Sequence, residues 1–323
     1  MLKIVSNHIS LLTALALFTV FTSPINAQEP YPASPVELIV PWGPGGGADI
    51  MGRMAAKWLE NDLKVPFTVL NVPGATGSIG LNKMVLNGSK GYSIGVMTGD
   101  TLALDAYPKS LFLYKDVTPL AVMIRQPSGL FANYDGPYKT WDEVVAAAKK
   151  NPGSINVAIT GPNSPDEATV DYLSSQGVKL VSVPYPKPGE RYVAVLGNQV
   201  ELLYEQAGDI RTHIDANKLR PLIFFAKKRL PAPFASVPVS GEYGYDILLP
   251  QTRSIIAKKG VDPKKLLILS ESLNKLAATP EFKAYLKDQY ALPDSYIAMN
   301  EANAFLENEL NSFKKLTGNT GTK

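Results

Sequence analysis

The sequence alternates short apolar segments with amphipathic helical ones, and this order constrains the fold more than any other feature. Residues 36–40, 67–71 and 94–97 are apolar runs of strand length. Between the first two, residues 48–63 place apolar side chains at helical spacing. Because parallel neighbours need a crossover connection, this order predicts an α/β fold with mostly parallel sheets flanked by helices.

The same pattern returns in the middle of the chain and predicts a second α/β unit. A length of 323 residues is enough for two domains. Further strands are expected at 155–159, 180–183, 200–204 and 222–225. The C-terminal helices predicted after residue 248 are accompanied by too few strands to form a third unit. We therefore expect them to belong to the first unit. We therefore predict a cleft between a first lobe of residues 28–127 plus 249–323 and a second lobe of residues 128–248.

Residues 1–27 have the features of a secretory signal peptide. Lys3 precedes an apolar stretch at 9–21, and residues 23–27, Ser-Pro-Ile-Asn-Ala, resemble a cleavage site with a small residue last. This stretch of 13 residues is shorter than the ~20 that span a bilayer, which favours cleavage over a retained membrane anchor. The prediction is a mature chain that begins at Gln28 and is located in the periplasm.

Composition argues against several kinds of chemistry. The chain has no Cys, which rules out disulfides, zinc–thiolate sites and Cys nucleophiles. Its net charge of +3 is too small to indicate nucleic-acid binding. Residues 91–95 match the pattern G-x-S-x-G, but Ser93 opens a strand instead of a strand-to-helix turn, and His213 is the only His after residue 27. We therefore expect no catalysis, no cofactor and no metal site.

The strongest local signal is the glycine-rich segment 41–49, Pro-Trp-Gly-Pro-Gly-Gly-Gly-Ala-Asp, which follows a strand and opens a helix. Glycines let the backbone approach a ligand, and a helix N-terminus offers free N–H groups to an anion. The glycine spacing also fits a dinucleotide-binding pattern, but the next strand ends in Asn71, where an acidic residue is wanted. A tight turn with Asp49 as a helix cap stays open beside binding of a carboxylate or similar anion.

Two more loops are expected at the same edge of the first sheet. Residues 73–78 follow a strand and lead into a helix, and residues 98–101 follow the third strand. Parallel strands end at one edge, and ligands bind in the crevice there. We therefore expect these loops to share a rim with the glycine-rich segment. For loop 98–101 a plain turn is an equal alternative.

Together these motifs resemble the Bug/TctC extracytoplasmic solute receptors of tripartite tricarboxylate transporters. In that family a Tyr-Pro pair and a strand precede Pro-Phe-Ala-Pro-Gly-Gly-Gly-Thr-Asp, as Tyr31-Pro32 and a strand precede segment 41–49 here. Residues 71–80, Asn-Val-Pro-Gly-Ala-Thr-Gly-Ser-Ile-Gly, are similar to the family's Asn-Arg-Pro-Gly-Ala-Gly-Gly-Asn-Ile-Gly. Shorter family-like segments extend the resemblance over nearly all of residues 30–316.

The resemblance implies a two-lobed, type II-like periplasmic binding protein that closes around a small organic acid, most often a di- or tricarboxylate. It implies uptake through membrane transporter subunits, action as a monomer, and no cofactor. In the family, amides of the first two loops hold one carboxylate, and a loop of the second lobe, here 160–164, faces them. The motifs and this resemblance together give the expected ligand-binding residues: Trp42, Gly43, Gly45, Gly46, Ala75, Thr76, Gly77, Ser78, Thr98, Asp100, Thr160, Gly161, Asn163, Ser164, Tyr185, Glu205 and Arg253. For Trp42 and Tyr185 a place in the core is an equal alternative.

Acidic departures from the family pattern bear on the ligand. Asp166 and Glu167 follow the second-lobe loop, where they either cap their own helix, disfavour an anion, or hold an ammonium or hydroxyl group of the ligand. Residues 204–209, Tyr-Glu-Gln-Ala-Gly-Asp, replace the family's Phe-Asp-Asn-x-x-Ser, and this match implies that Glu205 lies near the cleft. Arg253 is either a cation that offsets these acids or a surface residue. The alternative functions are a sensor that signals to a membrane kinase and an extracytoplasmic enzyme.

Overall fold

The computed structural model of the chain describes residues 30–108 and 110–318. The predicted signal peptide at 1–27 lies outside these residues. Within the described ranges, no helix is both long and apolar enough to cross a membrane.

The described residues contain strands and α-helices in alternation. The strands are β1 (Val36–Val40), β2 (Phe67–Asn71), β3 (Ser93–Thr98), β4 (Val117–Gln126), β5 (Ser128–Asn133), β6 (Asn156–Ile159), β7 (Val181–Pro184), β8 (Leu202–Gln206), β9 (Leu219–Phe224), β10 (Gln251–Lys258) and β11 (Ile297–Ala298). The helices are α1 (Gly47–Leu63), α2 (Ser78–Asn87), α3 (Gly99–Ala103), α4 (Trp141–Lys150), α5 (Pro165–Ser175), α6 (Pro188–Leu196), α7 (Arg211–Asp215), α8 (Pro263–Ala278), α9 (Pro280–Asp288) and α10 (Met299–Leu316).

These strands form two sheets, each flanked by helices, as the α/β prediction requires. The first sheet has the order β11-β4-β10-β3-β1-β2, and the second has the order β7-β6-β8-β5-β9. We call the part built on the first sheet the first lobe and the part built on the second sheet the second lobe.

Both sheets are mixed, whereas the sequence analysis predicts mostly parallel ones. β1 pairs in parallel with β2 and β3, and β6 with β7 and β8. β10 runs antiparallel to β3 and β4, and β5 runs antiparallel to β8 and β9. β4 and β5 are not among the predicted strands, and only Pro127 separates them. The chain there passes directly between sheets, without the helical crossover that parallel neighbours need.

The core of each lobe lies between its sheet and its helices. In the first lobe, α1 buries a stripe of Met51, Ala55 and Leu59 against the sheet, at the spacing seen in the sequence. α8 and α10 come from the C-terminal part of the chain and bury Leu269 and Leu306 in clusters with strands of the same lobe. The chain crosses between the lobes after β4 and again before β10, so loops of both lobes meet at one cleft.

The sequence contains two capping-box patterns, Thr-x-x-Glu at 140–143 and Ser-x-x-Glu at 164–167, and they form differently. Thr140 accepts a hydrogen bond from the Glu143 amide, and the Glu143 carboxylate accepts one from the Thr140 amide, so this box is complete. At α5, Ser164 accepts from the Glu167 amide, but the Glu167 carboxylate accepts from the Asn163 amide instead, at 2.6 Å. The second box is therefore half-formed.

Candidate ligand-binding site

A small cavity lies in the cleft, lined by residues of both lobes. Its volume is about 40 Å³. The first lobe contributes the starts of α1 and α3 and the strand β10. The second lobe contributes the starts of α5 and α6 and the end of β8. Four carboxylates and two guanidinium groups line the cavity, from Asp100, Asp166, Glu205, Asp209, Arg191 and Arg253.

One buried ion pair joins the two lobes. Arg253, on β10 of the first lobe, donates from Nη2 to Oδ2 of Asp209, which follows β8 in the second lobe. Its Nη1 donates to the side-chain oxygen of Gln126. The side chains of the pair are 3% and 4% exposed, so removing either charge would strand the other. Burial raises the pKa of Asp209 to about 6, although the Arg253 charge lowers it.

This ion pair packs on the first residue of α1, where only glycine fits. A Cβ atom at Gly47 would collide with Oδ1 of Asp209 and Nη2 of Arg253. Any side chain at this position would push the pair away. The N-terminus of α1, for which the sequence leaves anion binding open beside a tight turn, thus lies against a carboxylate of the protein itself.

A second buried ion pair lies within the second lobe. Arg191 of α6 donates from Nη2 to Oε2 of Glu205 at 2.7 Å, and the Tyr192 hydroxyl donates to the same oxygen at 3.1 Å. Nη1 of Arg191 donates to the carbonyl of Tyr185 at 3.0 Å. Burial lowers the pKa of Arg191, but the charges of Glu205 and Tyr192 and the hydrogen bond to Glu205 together outweigh burial. The pKa is therefore raised, and the guanidinium stays charged.

Two further carboxylates line the cavity with no ion-pair partner among the described residues. Asp100 of α3 accepts a hydrogen bond from Nε2 of Gln251 at 2.6 Å. Asp166 of α5 accepts from the amide and the hydroxyl of Thr160, at 2.8 and 2.9 Å. Both acids are 2% exposed. Burial raises the pKa of both, and the Asp100 charge raises the pKa of Asp166 further.

Several buried polar atoms of these side chains have no hydrogen-bond partner in the described part of the chain. Two are donors, Nε of Arg191 and Nε of Arg253, and two are acceptors, Oδ1 of Asp100 and Oδ1 of Asp209. Leaving such groups unpaired in the interior costs free energy. The arrangement therefore suits a small polar ligand. Over residues 30–108 and 110–318, no group of three or more His, Asp or Glu side chains is arranged to hold a metal ion.

Comparison with known proteins identifies the family. The family described as tripartite tricarboxylate transporter family receptor, TctC, matches residues 51–321, which is more than half of the chain. The chain belongs to this family. A relative, protein BugT of Bordetella pertussis, is 26% identical over 326 residues, which cover 98% of this chain and 99% of BugT. The resemblance to Bug/TctC receptors seen in the sequence is confirmed.

Solved structures of similar proteins share the fold of this TctC-family chain. The periplasmic binding protein BugD superposes with a TM-score of 0.81 at 24% identity, over 91% of this chain and 99% of BugD. R. palustris Rpa4515, solved with adipate, has a TM-score of 0.83 at 20% identity, over 90% of this chain and 98% of Rpa4515. The predicted two-lobed periplasmic binding fold is confirmed.

The cavity of this TctC receptor brings together several residues that the sequence singled out. Trp42 donates from Nε1 to Oγ1 of Thr98 at 3.2 Å, so two loops of the first lobe meet here. Their part in binding a ligand stays a prediction. The predicted residues on the cavity wall are Trp42, Gly46, Thr98, Asp100, Thr160, Glu205 and Arg253. Arg253 is buried, so its alternative placement on the surface is wrong.

The remaining predicted residues do not line this cavity. Thr76 instead donates to the carbonyl of Pro162 at 3.2 Å, so the loops of the two lobes contact each other directly. Tyr185 acts through its carbonyl, which holds Arg191. A second cavity of about 200 Å³ is lined by Ala75, Thr76, Ser78 and Asn163. Neither cavity is lined by Gly43, Gly45, Gly77, Gly161 or Ser164.

The ion-pair partners of Glu205 and Arg253 were not predicted from the sequence. Arg191 lies 14 residues from Glu205, and Asp209 lies 44 residues from Arg253, so no local pattern links either pair. One signal was available for Asp209, because it stands where the TctC family has Ser at the end of Phe-Asp-Asn-x-x-Ser. An acid at that position predicts a buried cation nearby.

Proposed function

We propose that this chain is a periplasmic receptor that captures a small organic acid between its two lobes for uptake by a tripartite tricarboxylate transporter. Family membership supports the role of receptor. Adipate in the similar Rpa4515 structure supports a carboxylate as the ligand. The candidate ligands are di- and tricarboxylates and other small carboxylates.

The observation that carries this proposal is a pair of buried donors from opposite lobes. Arg253 of the first lobe and Arg191 of the second both line the cavity, and Nε of each has no partner among the described residues. A carboxylate that accepts from both would contact both lobes at once. Such a ligand stabilises the closed form, because it binds that form better than the open one.

The proposal involves no chemistry on the ligand. We propose that residues 1–27 direct export and are removed, that the mature chain acts as a monomer, and that it delivers its ligand to membrane subunits of the transporter. Cell fractionation with N-terminal sequencing tests export. Loss of uptake on deletion of the membrane subunits, with binding retained, tests the partnership against a purely sensory role.

The binding test compares each acid with its uncharged analogue on the chain from Gln28 onward. Succinate, malate, adipate and citrate are paired with their amides in thermal-shift and native mass spectrometry experiments. We expect at least one acid to stabilise the protein, by about 2.7 kcal/mol at a hundred times its Kd, while its amide does not. NMR should recover the acid unchanged. Equal effects of acids and amides, or turnover of the acid, would contradict the proposal.

A double variant tests the donor. Arg191→Met with Glu205→Gln removes both charges of the buried pair together, which avoids stranding one of them. We expect affinity for the best acid to fall at least tenfold, since a hydrogen bond to a charged group contributes about 1.5–3 kcal/mol. The matched control on the same helix is Lys187→Met with Glu190→Gln, an exposed pair that should leave affinity unchanged.

A further inference from the structure

The charges of the cavity do not balance. Two guanidinium groups face four carboxylates, and each guanidinium is already paired, Arg191 with Glu205 and Arg253 with Asp209. Asp100 and Asp166 are left over, and their hydrogen-bond partners, Gln251 and Thr160, carry no charge. A cavity built only for a dicarboxylate would not need two additional acids, since like charges repel and buried charges need counter-charges.

The two surplus acids come from opposite lobes. Asp100 lies in α3 of the first lobe, and Asp166 lies in the first turn of α5 in the second. Both are 2% exposed and both line the cavity. They are close enough for the Asp100 charge to raise the pKa of Asp166. The two carboxyl groups therefore repel each other across the cavity when both are ionised.

One atom of this pair is left for an external donor. Oδ2 of Asp100 accepts from Gln251, but Oδ1 is buried and has no hydrogen-bond partner among the described residues. A buried carboxylate oxygen without a donor costs free energy that a bound donor would recover. This unpaired oxygen is evidence for a ligand that is independent of the charge count.

The geometry points to a ligand that carries a protonated amine as well as a carboxylate, with the ammonium between Asp100 and Asp166. This assignment rests on the proposed function and narrows its ligand class to amino acids and similar zwitterions. An ammonium group has three N–H donors and a compact positive charge, which match two carboxylates. The carboxylate of the same molecule would accept from Nε of Arg191 and Arg253, so each charge of the ligand meets groups from both lobes.

The test uses matched acids that differ only in the amine. Aspartate is compared with succinate, and glutamate with glutarate, by isothermal titration calorimetry at pH 7 on the chain from Gln28 onward. In at least one pair we expect the amino acid to bind tenfold or more tightly, or 1.4 kcal/mol. 1,4-Diaminobutane serves as the amine without a carboxylate and should bind more weakly than that amino acid.

Two isosteric variants locate the amine. Asp100→Asn and Asp166→Asn keep the size of the side chain and remove its charge. Each should weaken binding of the preferred amino acid and strengthen binding of its deaminated partner, so that the ratio of the two Kd values falls at least tenfold. The control is Asp171→Asn, an exposed acid on the same helix as Asp166, which should leave the ratio unchanged. Circular dichroism confirms that each variant is folded.

The outcomes separate this inference from the proposed function. If succinate or glutarate binds as tightly as the matching amino acid, the proposed amine site is wrong, but the proposed carboxylate receptor stands. The same conclusion follows if either acid binds tightly only with added Ca²⁺. A Kd ratio that is unchanged in both Asp→Asn variants also overturns it. Diaminobutane binding more tightly than every acid overturns both, because no carboxylate would then be recognised.

Discussion

In both lobes, an acid in the first turn of a helix accepts a hydrogen bond from an amide of the preceding loop, but the pKa values of the two acids shift in opposite directions. After β1, Asp49 in the first turn of α1 accepts a hydrogen bond from the Gly45 amide at 3.0 Å. After β6, Asp166 in the first turn of α5 accepts one from the Thr160 amide at 2.8 Å. In both cases an acid near the positive end of a helix fastens the loop that precedes it.

The surroundings of these two acids differ. Burial raises the pKa of Asp49, but hydrogen bonds from Arg53, Gly45 and Asn71 outweigh it, and the pKa is lowered. Burial raises the pKa of Asp166, and the neighbouring Asp100 adds to the shift. One carboxylate is satisfied by its own lobe, and the other faces a like charge from the opposite lobe. Local sequence sets the loop geometry, whereas tertiary neighbours decide whether charge is left for a ligand.

The start of α1 gives the largest expected effect, because it is where the two lobes press together. Gly47→Val would place side-chain atoms where Asp209 and Arg253 now lie. We expect the closed form to be lost and ligand affinity to fall at least 100-fold, or about 2.7 kcal/mol. Calorimetry with the best ligand measures the effect.

The matched control for this change is Gly189→Val in the first turn of α6. A Cβ at Gly189 has nothing within 4 Å, so the same substitution there should cost little affinity. A folded Gly47→Val protein that binds normally would show that this contact between the lobes is not part of the binding-competent state.

The second prediction concerns stability and tests Asp49, the acid whose hydrogen bonds come from its own lobe. Asp49→Ala leaves the Gly45 amide without its acceptor. It also removes one of the two acceptors of the Asn71 side-chain amide, the other being the Trp42 carbonyl. We expect the free energy of unfolding to fall by about 1–3 kcal/mol in urea denaturation. Asp171→Ala, at an exposed position, should change it by less than about 0.5 kcal/mol. Equal losses would mean that Asp49 does not hold the loop.

The sequence predicts features set by neighbouring residues better than features set by contacts between distant residues. The bounds of β1 and β2 agree with the predicted 36–40 and 67–71, because a short apolar run between turn signals is a local pattern. β4 and β5 are not predicted, because the chain passes from one sheet to the other here without an intervening helix that would mark the strand ends. The sequence places Trp42 and Asp100 near the cleft because their segments follow strands that end there, and it places Glu205 there through the resemblance to the family.

What the sequence could not supply is the pairing of charges. Arg253 was expected either to offset the cleft acids or to lie on the surface, and its partner Asp209 lies 44 residues away in the other lobe. Whether an acid is paired or surplus depends on which long-range contacts form. The surplus at Asp100 and Asp166 is therefore a property of the assembled fold and not of either segment.

A pH series compares the two first-turn acids directly. Because the folded pKa of Asp166 lies above the unfolded value of 3.8, its ionisation destabilises the folded state above the raised pKa, and this cost disappears as pH falls below 3.8. Asp166→Asn should therefore be more stable than wild type at pH 7, by a margin that shrinks toward pH 4. Asp100, Glu205, Asp209, Arg191 and Arg253 face the same cavity, so each variant is compared with wild type at every pH.

Asp49→Asn should show the opposite sign in the same series. Its folded pKa lies below 3.8, so wild-type Asp49 contributes stability that is present above pH 3.8 and lost as pH falls through the lowered pKa. Asp49→Asn should be less stable than wild type at pH 7, with no change in that difference down to about pH 5. Differences of the same sign for both variants would remove the contrast drawn between the two loops.

The smallest expected effect concerns the cation that accompanies Asp49. Arg53 contacts Asp49 at 2.9 Å, but 53% of its side chain is exposed, so water screens the pair. Arg53→Met should lower the free energy of unfolding by only about 0.5 kcal/mol, and less at 1 M salt. The Gly45 and Asn71 hydrogen bonds would then account for most of the stability that Asp49 provides. A loss as large as that of Asp49→Ala would instead make the exposed arginine the reason that this acid, unlike Asp166, is satisfied within its own lobe.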